Sequence, residues 1–520
     1  MRPPHERRRR RTSGYGAAGA AGRRTYGGPV PARDRARPSL RFRDRSVFEG
    51  VARREVGALD LVAHSVAVLV PSLTALGSGL AFPAVVGPGF WVSTLLGFGL
   101  VGLLTLTFNQ FSTRFRSAGT LYTFVAKGLG PMLALVVGGG LIIGYSAMIG
   151  FGLGSGSRRA EAALAAGGVD LFAGTGRELV LLVVGASMCL YAISRGIHWS
   201  TRAALAVEVV SLVVLVVVLG TWIERYGWPG PEVLSLEGAS LSRILLGAGL
   251  IVTLTLAYES SASLGLETKR PFAEVPFALR WSLVLAAVLF AFANLVATQR
   301  PADAPSVFSW RWFSPGADRS VADALVLVVL AWSLVALALC VWCALARLVF
   351  SLAREGVLPD ALGRVNARGI PMTAALAVTP LAVLPTMVGV LAQDEGGSFG
   401  WELKVATSVV ICTAYALTAL SLLLFLRRLD EVTPVPVVAA VVSGVGAAAV
   451  AVNELVTELR DGTYLAVGLL VASAVLGLLM RLGTARRRVT GDRYVGMHDE
   501  ALASSVILPP EERADSHADR

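Results

Sequence analysis

Charge is what this chain lacks. Asp, Glu, Lys and Arg make up only 16% of its 520 residues, against about 25% in soluble globular domains. Lysine is scarcest, confined to Lys127, Lys269 and Lys404, and there are four cysteines. Cys189, Cys340, Cys343 and Cys412 all fall inside apolar stretches. The C-x-x-C of Cys340 and Cys343 has no second pair or neighbouring His, so these residues read as small packing groups and no metal is expected. No P-loop, G-x-S-x-G or H-E-x-x-H motif is present, and GLGSGS at 152–157 has no strand before it, so it reads as a helix end. Neither an enzyme nor a cofactor is expected.

What is abundant is apolar surface. The chain is 54% hydrophobic with mean hydropathy +0.64, which defines an integral membrane protein. Twelve apolar runs follow one another at 59–82, 89–108, 130–154, 177–194, 203–223, 243–266, 279–298, 321–350, 373–392, 403–426, 434–452 and 463–481. Each is long enough to cross a hydrocarbon core of about 30 Å as a helix. They are continuous rather than alternating, which favours an all-α bundle over a barrel.

The formal net charge of +11 is concentrated at the start: the first 58 residues hold 16 Arg against 5 acidic residues, leaving 31 basic and 31 acidic residues beyond them. Residues 1–55 therefore read as a disordered, Arg-rich cytoplasmic tail held against anionic lipid; nucleic-acid binding is the less economical alternative and is not expected. Residues 56–485 form the transmembrane domain, and 486–520 a second cytoplasmic tail. Basic clusters at 114–127, 194–202, 267–280, 354–371, 427–431 and 481–488 mark the inner side, so both termini are expected in the cytoplasm of a plasma-membrane protein. The intervening loops are nearer neutral, with Arg158 and Arg159 as the exception.

Two runs carry chemistry. In LVAHSVAVLVPSLTALGSGLAFP (61–83), Pro71 removes a backbone donor while Ser72 and Thr74 compete for backbone groups. Counting about 1.5 Å per residue from Leu59 puts Pro71 roughly 18 Å deep, near the midplane. A break is predicted over Pro71, Ser72, Leu73 and Thr74; a repaired proline kink is the alternative. The sixth run, TLTLAYESSASLG, places Thr253, Thr255, Glu259 and several serines in its second half. A glutamate at that depth is costly in lipid and so points to function. Two interrupted helices in corresponding positions of two halves mark a transporter site. His64 reads as a hydrogen-bonded interior histidine, with a proton role as the alternative. Glu208, six residues after Arg202 in the fifth run, is either a buried ionisable group or an interfacial one. Lys404 reads as a helix-end residue.

Three segments then resemble one family. FNQFSTRFRSAGTLYTFVAKGLGP (108–131), AYESSASLGLETKRPFAEVPFAL (257–279) and RLVFSLAREGVLPDALGRVNARGIP (347–371) are similar, in the right order, to the motifs of the amino acid/polyamine/organocation superfamily and its bacterial amino acid permeases. The resemblance covers roughly residues 55–480. It implies a LeuT-like five-plus-five inverted repeat with two further helices and a midplane site between the first and sixth. It further implies that backbone around Ser72 to Thr74 receives a substrate carboxylate, that Ala257 and Tyr258 lie on the sixth-helix break, and that Glu259 matches the family's glutamate. Ala257 stands where the family usually has glycine. Ser333 and Ser351 could supply sodium ligands by the same resemblance, but exchange or proton coupling through Glu259 or Glu208 is preferred. Tyr145, Tyr258 and Trp332 could wall the site, although membrane aromatics more often serve packing. The expectation is a secondary active permease for an amino acid or related amine, with lipid and protons as its other partners. The contrasting reading is a substrate-sensing receptor or scaffold that keeps the permease fold.

Overall fold

In the computed structural model, residues 55–169, 174–298, 321–392, 399–486 and 495–496 are described. Most of both tails, predicted as 1–55 and 486–520, lies outside these residues. The helices are α1 Ala58–Leu69, α2 Pro71–Val86, α3 Phe90–Ser112, α4 Leu121–Leu129, α5 Pro131–Ala166, α6 Thr175–Arg195, α7 Ile197–Tyr226, α8 Leu241–Leu254, α9 Pro271–Ala297, α10 Val321–Arg354, α11 Met372–Ala392, α12 Phe399–Leu429, α13 Pro434–Arg460 and α14 Leu465–Arg486. A 3-10 segment, Tyr258–Leu266, continues from α8 after a turn. Twelve of the described segments are long and apolar enough to cross a membrane, one for each predicted run. The first combines α1 with the start of α2, and the sixth combines α8 with the 3-10 segment.

Prolines set several boundaries. Pro71, Pro131, Pro271 and Pro434 each open a helix, where the first-turn N–H has no intrahelical partner and its loss costs little. In the interior, small residues let backbones approach, as membrane helices require when no water drives them together. A Cβ on Gly152 of α5 would sit 2.8 Å from the Leu334 carbonyl of α10, so these two long helices pack closely only because that atom is missing.

The segments predicted to lie on the inner side gather at one end of the bundle. There Arg114 pairs with Glu431 at 2.7 Å, Arg428 donates to Lys127 O at 3.0 Å, Arg368 donates to Ser194 O at 2.8 Å, and Thr201 Oγ1 donates to Asp60 Oδ1 at 3.1 Å. These contacts are short ties between helix ends and loops, and the last of them orients the start of α1.

Candidate functional site

Two chain breaks face each other inside the bundle. α1 stops at Leu69 because Pro71 disfavours the right-handed helical region for the residue before it. Val70 adopts the left-handed conformation instead, with φ 43° and ψ 57°. That is a strained geometry for a β-branched side chain, costing on the order of 1–3 kcal/mol. Val70 is 1% exposed, so its surroundings hold it there. The break thus falls one residue before the predicted stretch, and Pro71–Thr74 forms the first turn of α2. Thr74 N–H closes onto Val70 O at 3.0 Å, and its hydroxyl lies 2.8 Å from Val70 O and 3.0 Å from Leu69 O. Helix geometry then leaves Ser72 and Leu73 N–H as the first-turn donors at the break.

In the sixth span, α8 ends at Leu254 and the chain turns through Ala257, also left-handed, with φ 65° and ψ 7°. An alanine there lacks the freedom of a glycine, at a cost of about 1–2 kcal/mol. Serine hydroxyls and an imidazole stitch the two broken spans together. Ser65 Oγ lies 2.7 Å from Ser261 Oγ and 3.1 Å from Tyr258 O, sharing its proton between them. His64 Nε2 lies 3.1 Å from Ser260 Oγ. His64 is therefore the hydrogen-bonded interior histidine that the sequence suggests.

Glu259 is 1% exposed and is held by two tyrosines from other helices. Tyr145 of α5 donates to its Oε1 at 2.8 Å, and Tyr415 of α12 donates to its Oε2. The Tyr415 hydroxyl also accepts Ala257 N–H at 3.0 Å. A donor freed by the break is thereby joined to the carboxyl group through one phenol, and such chains polarise one another. Phe108 packs beside this phenol, its ring centroid 5.3 Å from that of Tyr415. Glu259 thus braces the sixth-span break through Tyr415, while its serine neighbours hold α1.

Other predicted residues point elsewhere. Tyr258 turns its hydroxyl to Thr105 of α3 at 2.7 Å, away from the break, although its carbonyl meets Ser65. Thr253 faces α13, 3.4 Å from Glu454 Oε1. Trp332 is 43% exposed and lies on the outside of α10, so the structure does not bring it to the breaks. The residue before Pro71 and the phenol of Tyr415 were not singled out by the sequence. Only the pre-proline rule could have flagged the first, and nothing local flags the second.

A second polar cluster joins the first, fifth and eighth spans. Ser72 Oγ meets Ser211 Oγ, and Ser333 Oγ donates to Ser211 Oγ at 2.8 Å. Glu208 lies one helical turn from Ser211 on α7, with Ser333 as a polar neighbour. It is 2% exposed, so it is buried and not interfacial. Both its oxygens lack a hydrogen-bond partner among the described residues. No group of three or more His, Cys, Asp or Glu that could hold a metal occurs among those residues. Lys404, expected at a helix end, lies in the second turn of α12 and is 2% exposed. Its Nζ lies 3.5 Å from Met148 Sδ and 5.1 Å from the Phe151 ring centroid.

At the end where the predicted inner segments gather, the broken spans are clasped. Arg347 of α10 holds Glu267 through both carboxylate oxygens, at 2.7 and 2.9 Å. The Glu267 carbonyl accepts Glu55 and Val56 N–H, and Lys269 N–H returns to Val56 O at 2.9 Å. The 117–120 turn, within the 108–131 segment, lies against the same span: Ser117 Oγ bonds Thr123 Oγ1 at 2.6 Å and accepts Gly119 N–H at 2.9 Å, and the Ser117 carbonyl abuts Gly265. A cavity of about 560 Å³ opens at the other end, between Pro83, Gly87–Leu95, the 232–237 segment and Asn294–Thr298. Neither break contributes to its lining.

Twelve spans, with the first and sixth interrupted and joined at their breaks, define a broken-helix transporter fold. The structure of Mhp1, a nucleobase-cation-symport-1 family transporter in a closed conformation with bromovinylhydantoin bound, superposes with a TM-score of 0.51 at 15% identity, covering 86% of this chain and 98% of that one. The likeness fits the expected LeuT-like five-plus-five arrangement with two further helices. Residues 62–476 match the amino acid permease family profile, and the chain belongs to that family. Among its relatives, the branched-chain amino acid permease BcaP of Lactococcus lactis is 28% identical over 324 residues, 58% of this chain and 68% of that protein. The vacuolar cationic amino acid transporter 2 of Arabidopsis thaliana is 23% identical over 432 residues, 74% of this chain and 64% of its own length. The aromatic amino acid transport protein AroP of Escherichia coli K12 is 32% identical over 114 residues, 22% of this chain. These relatives are transporters and not enzymes, and the chain is a multi-pass membrane transporter of amino acid type.

Proposed function

We propose that this permease carries an amino acid across the plasma membrane by alternating access around the two breaks, with both termini in the cytoplasm and a proton as the coupling ion. The facing breaks at Val70 and Ala257 carry the proposal. First-turn N–H groups of α2 at Ser72 and Leu73 suit a carboxylate, because a helix N-terminus combines free donors with a positive dipole end. The carbonyl side of the broken α1 and the Ala257 turn suit an ammonium group. Leucine is the first substrate to test, since a branched-chain permease is among the relatives.

Glu208 is the proposed proton carrier. A buried carboxylate without a hydrogen-bond donor is costly, and taking up a proton removes that cost. Its neighbours Ser333, Ser211 and Ser72 connect it to the first turn of α2, where the substrate carboxylate would sit. Substrate binding and protonation therefore act at the two ends of one polar cluster, in which the three serines are hydrogen-bonded and Glu208 lies beside them. Glu259, held by two phenols, is assigned to bracing the sixth-span break.

Proteoliposomes test both assignments. Glu208→Gln is expected to retain leucine exchange while uptake loses its dependence on a proton gradient. Glu259→Gln is expected to slow exchange and uptake together with an unchanged pH profile. Gradient-driven uptake by Glu208→Gln equal to the parent would remove Glu208 from coupling, and no flux of leucine, arginine or phenylalanine would overturn the transport proposal.

A further inference from the structure

On the inner face, a piece of the C-terminal segment is seated in a cleft between α4 and the end of α10. Gly496 N–H donates to Glu355 Oε2 at 3.0 Å and to the Tyr122 hydroxyl at 3.2 Å. Tyr122 in turn donates to the same Glu355 oxygen at 2.5 Å, and Ser351 Oγ donates to Glu355 Oε1 at 3.3 Å. Tyr122, Ser351 and Glu355 are buried, so this is an enclosed polar site and not a surface contact. Burial, and then the charge of Glu355, push the Tyr122 hydroxyl well above its ordinary pKa, keeping it a donor.

The fit demands glycine twice over. Gly496 has φ +73°, and a Cβ there would lie 2.3 Å from Ala126 Cβ. Val495 packs against the apolar core beside it. The cleft therefore admits this backbone and rejects a side chain at its centre.

The position matters as much as the fit. α4 follows the 117–120 turn that abuts Gly265 of the sixth span. Glu355 follows α10 directly, eight residues after Arg347, whose guanidinium clasps Glu267. The seated segment thus ties together the two elements that grip the inner end of the broken sixth span.

We propose that this cleft is a docking site for the chain's own C-terminal segment, and that Val495–Gly496 seated in it is a brake on opening of the inner face. Opening requires Glu267 and Gly265 to leave their partners, so a link between those partners opposes it. Releasing the segment loosens both grips without touching either break. The rate effect of the brake rests on the transport proposal; docking and opening do not.

Hydrogen–deuterium exchange on the full-length protein in detergent reads docking at residues 121–129 and opening at 258–268, independently of any substrate. A chain ending at Arg486 and full-length Gly496→Val are both expected to raise exchange roughly 10- to 150-fold at both sites, the range for losing one net hydrogen bond to a charged acceptor. Leucine counterflow should accelerate by a similar factor. Unchanged exchange at 121–129 in both variants would overturn the docking site. Faster exchange at 121–129 with none at 258–268 would overturn the brake. If the parent moves no leucine, arginine or phenylalanine, transport fails as a proposal while exchange at 258–268 still decides this one.

Discussion

Tyr415→Phe isolates the bond that supports the sixth-span break. The substitution removes one oxygen and leaves the ring, which still packs on Phe108 at 5.3 Å. Two interactions vanish together: the donation to Glu259 and the acceptance of Ala257 N–H at 3.0 Å. A hydrogen bond to a charged group contributes about 1.5–3 kcal/mol net, and a buried donor left without an acceptor costs about 1–3 kcal/mol. Because both run through one hydroxyl and the turn at Ala257 can relax, the expected loss is about 3 kcal/mol rather than their full sum. Tyr145→Phe is the control. It removes a single donation to Glu259 at 2.8 Å without orphaning a backbone group, so about 1.5 kcal/mol is expected. Unfolding by SDS in mixed micelles, followed by tryptophan fluorescence, measures both, and a double-mutant cycle with Glu259→Gln should give a coupling of about 1–3 kcal/mol for Tyr415. Equal losses for the two tyrosine variants, or a coupling indistinguishable from zero, would refute the brace.

Two further outcomes follow from the same geometry. Arg347→Ala strands a buried Glu267 and is expected to destabilise by about 3–5 kcal/mol, whereas Arg347→Met combined with Glu267→Met should recover most of that loss; the same SDS titration checks it, and a double variant no more stable than Arg347→Ala would count against the clasp. Ala257→Gly should be tolerated within about 1 kcal/mol, since glycine adopts the left-handed geometry freely, while Ala257→Val should lose roughly 2 kcal/mol or more; equal stability of the two would mean that the backbone at 257 is not held left-handed.

Much of the bundle was legible in order. Spans such as 130–154 and 434–452 are legible because an uninterrupted apolar run in lipid must satisfy its own backbone, and only a helix does so within one segment. The break near Pro71 was legible for a comparably local reason, since a proline constrains its predecessor wherever it stands. Its placement at Val70 followed from the same rule applied one residue earlier. Thr253 and Trp332 show the limit: composition put them on the right helices, but helical phase against neighbours decided that one meets Glu454 and the other faces outward. Glu208 was open between interface and interior until packing buried it.

The sequence by itself determined the membrane class, the twelve crossings and the two weak points in the first and sixth spans, all of which depend on residues close together in the chain. Only the tertiary structure decided what meets those weak points. Tyr145 and Tyr415 reach Glu259 across 114 and 156 positions of chain, and Gly496 reaches Tyr122 across 374. Local pattern fixes where a backbone donor is freed; the packing of distant helices fixes which atom accepts it.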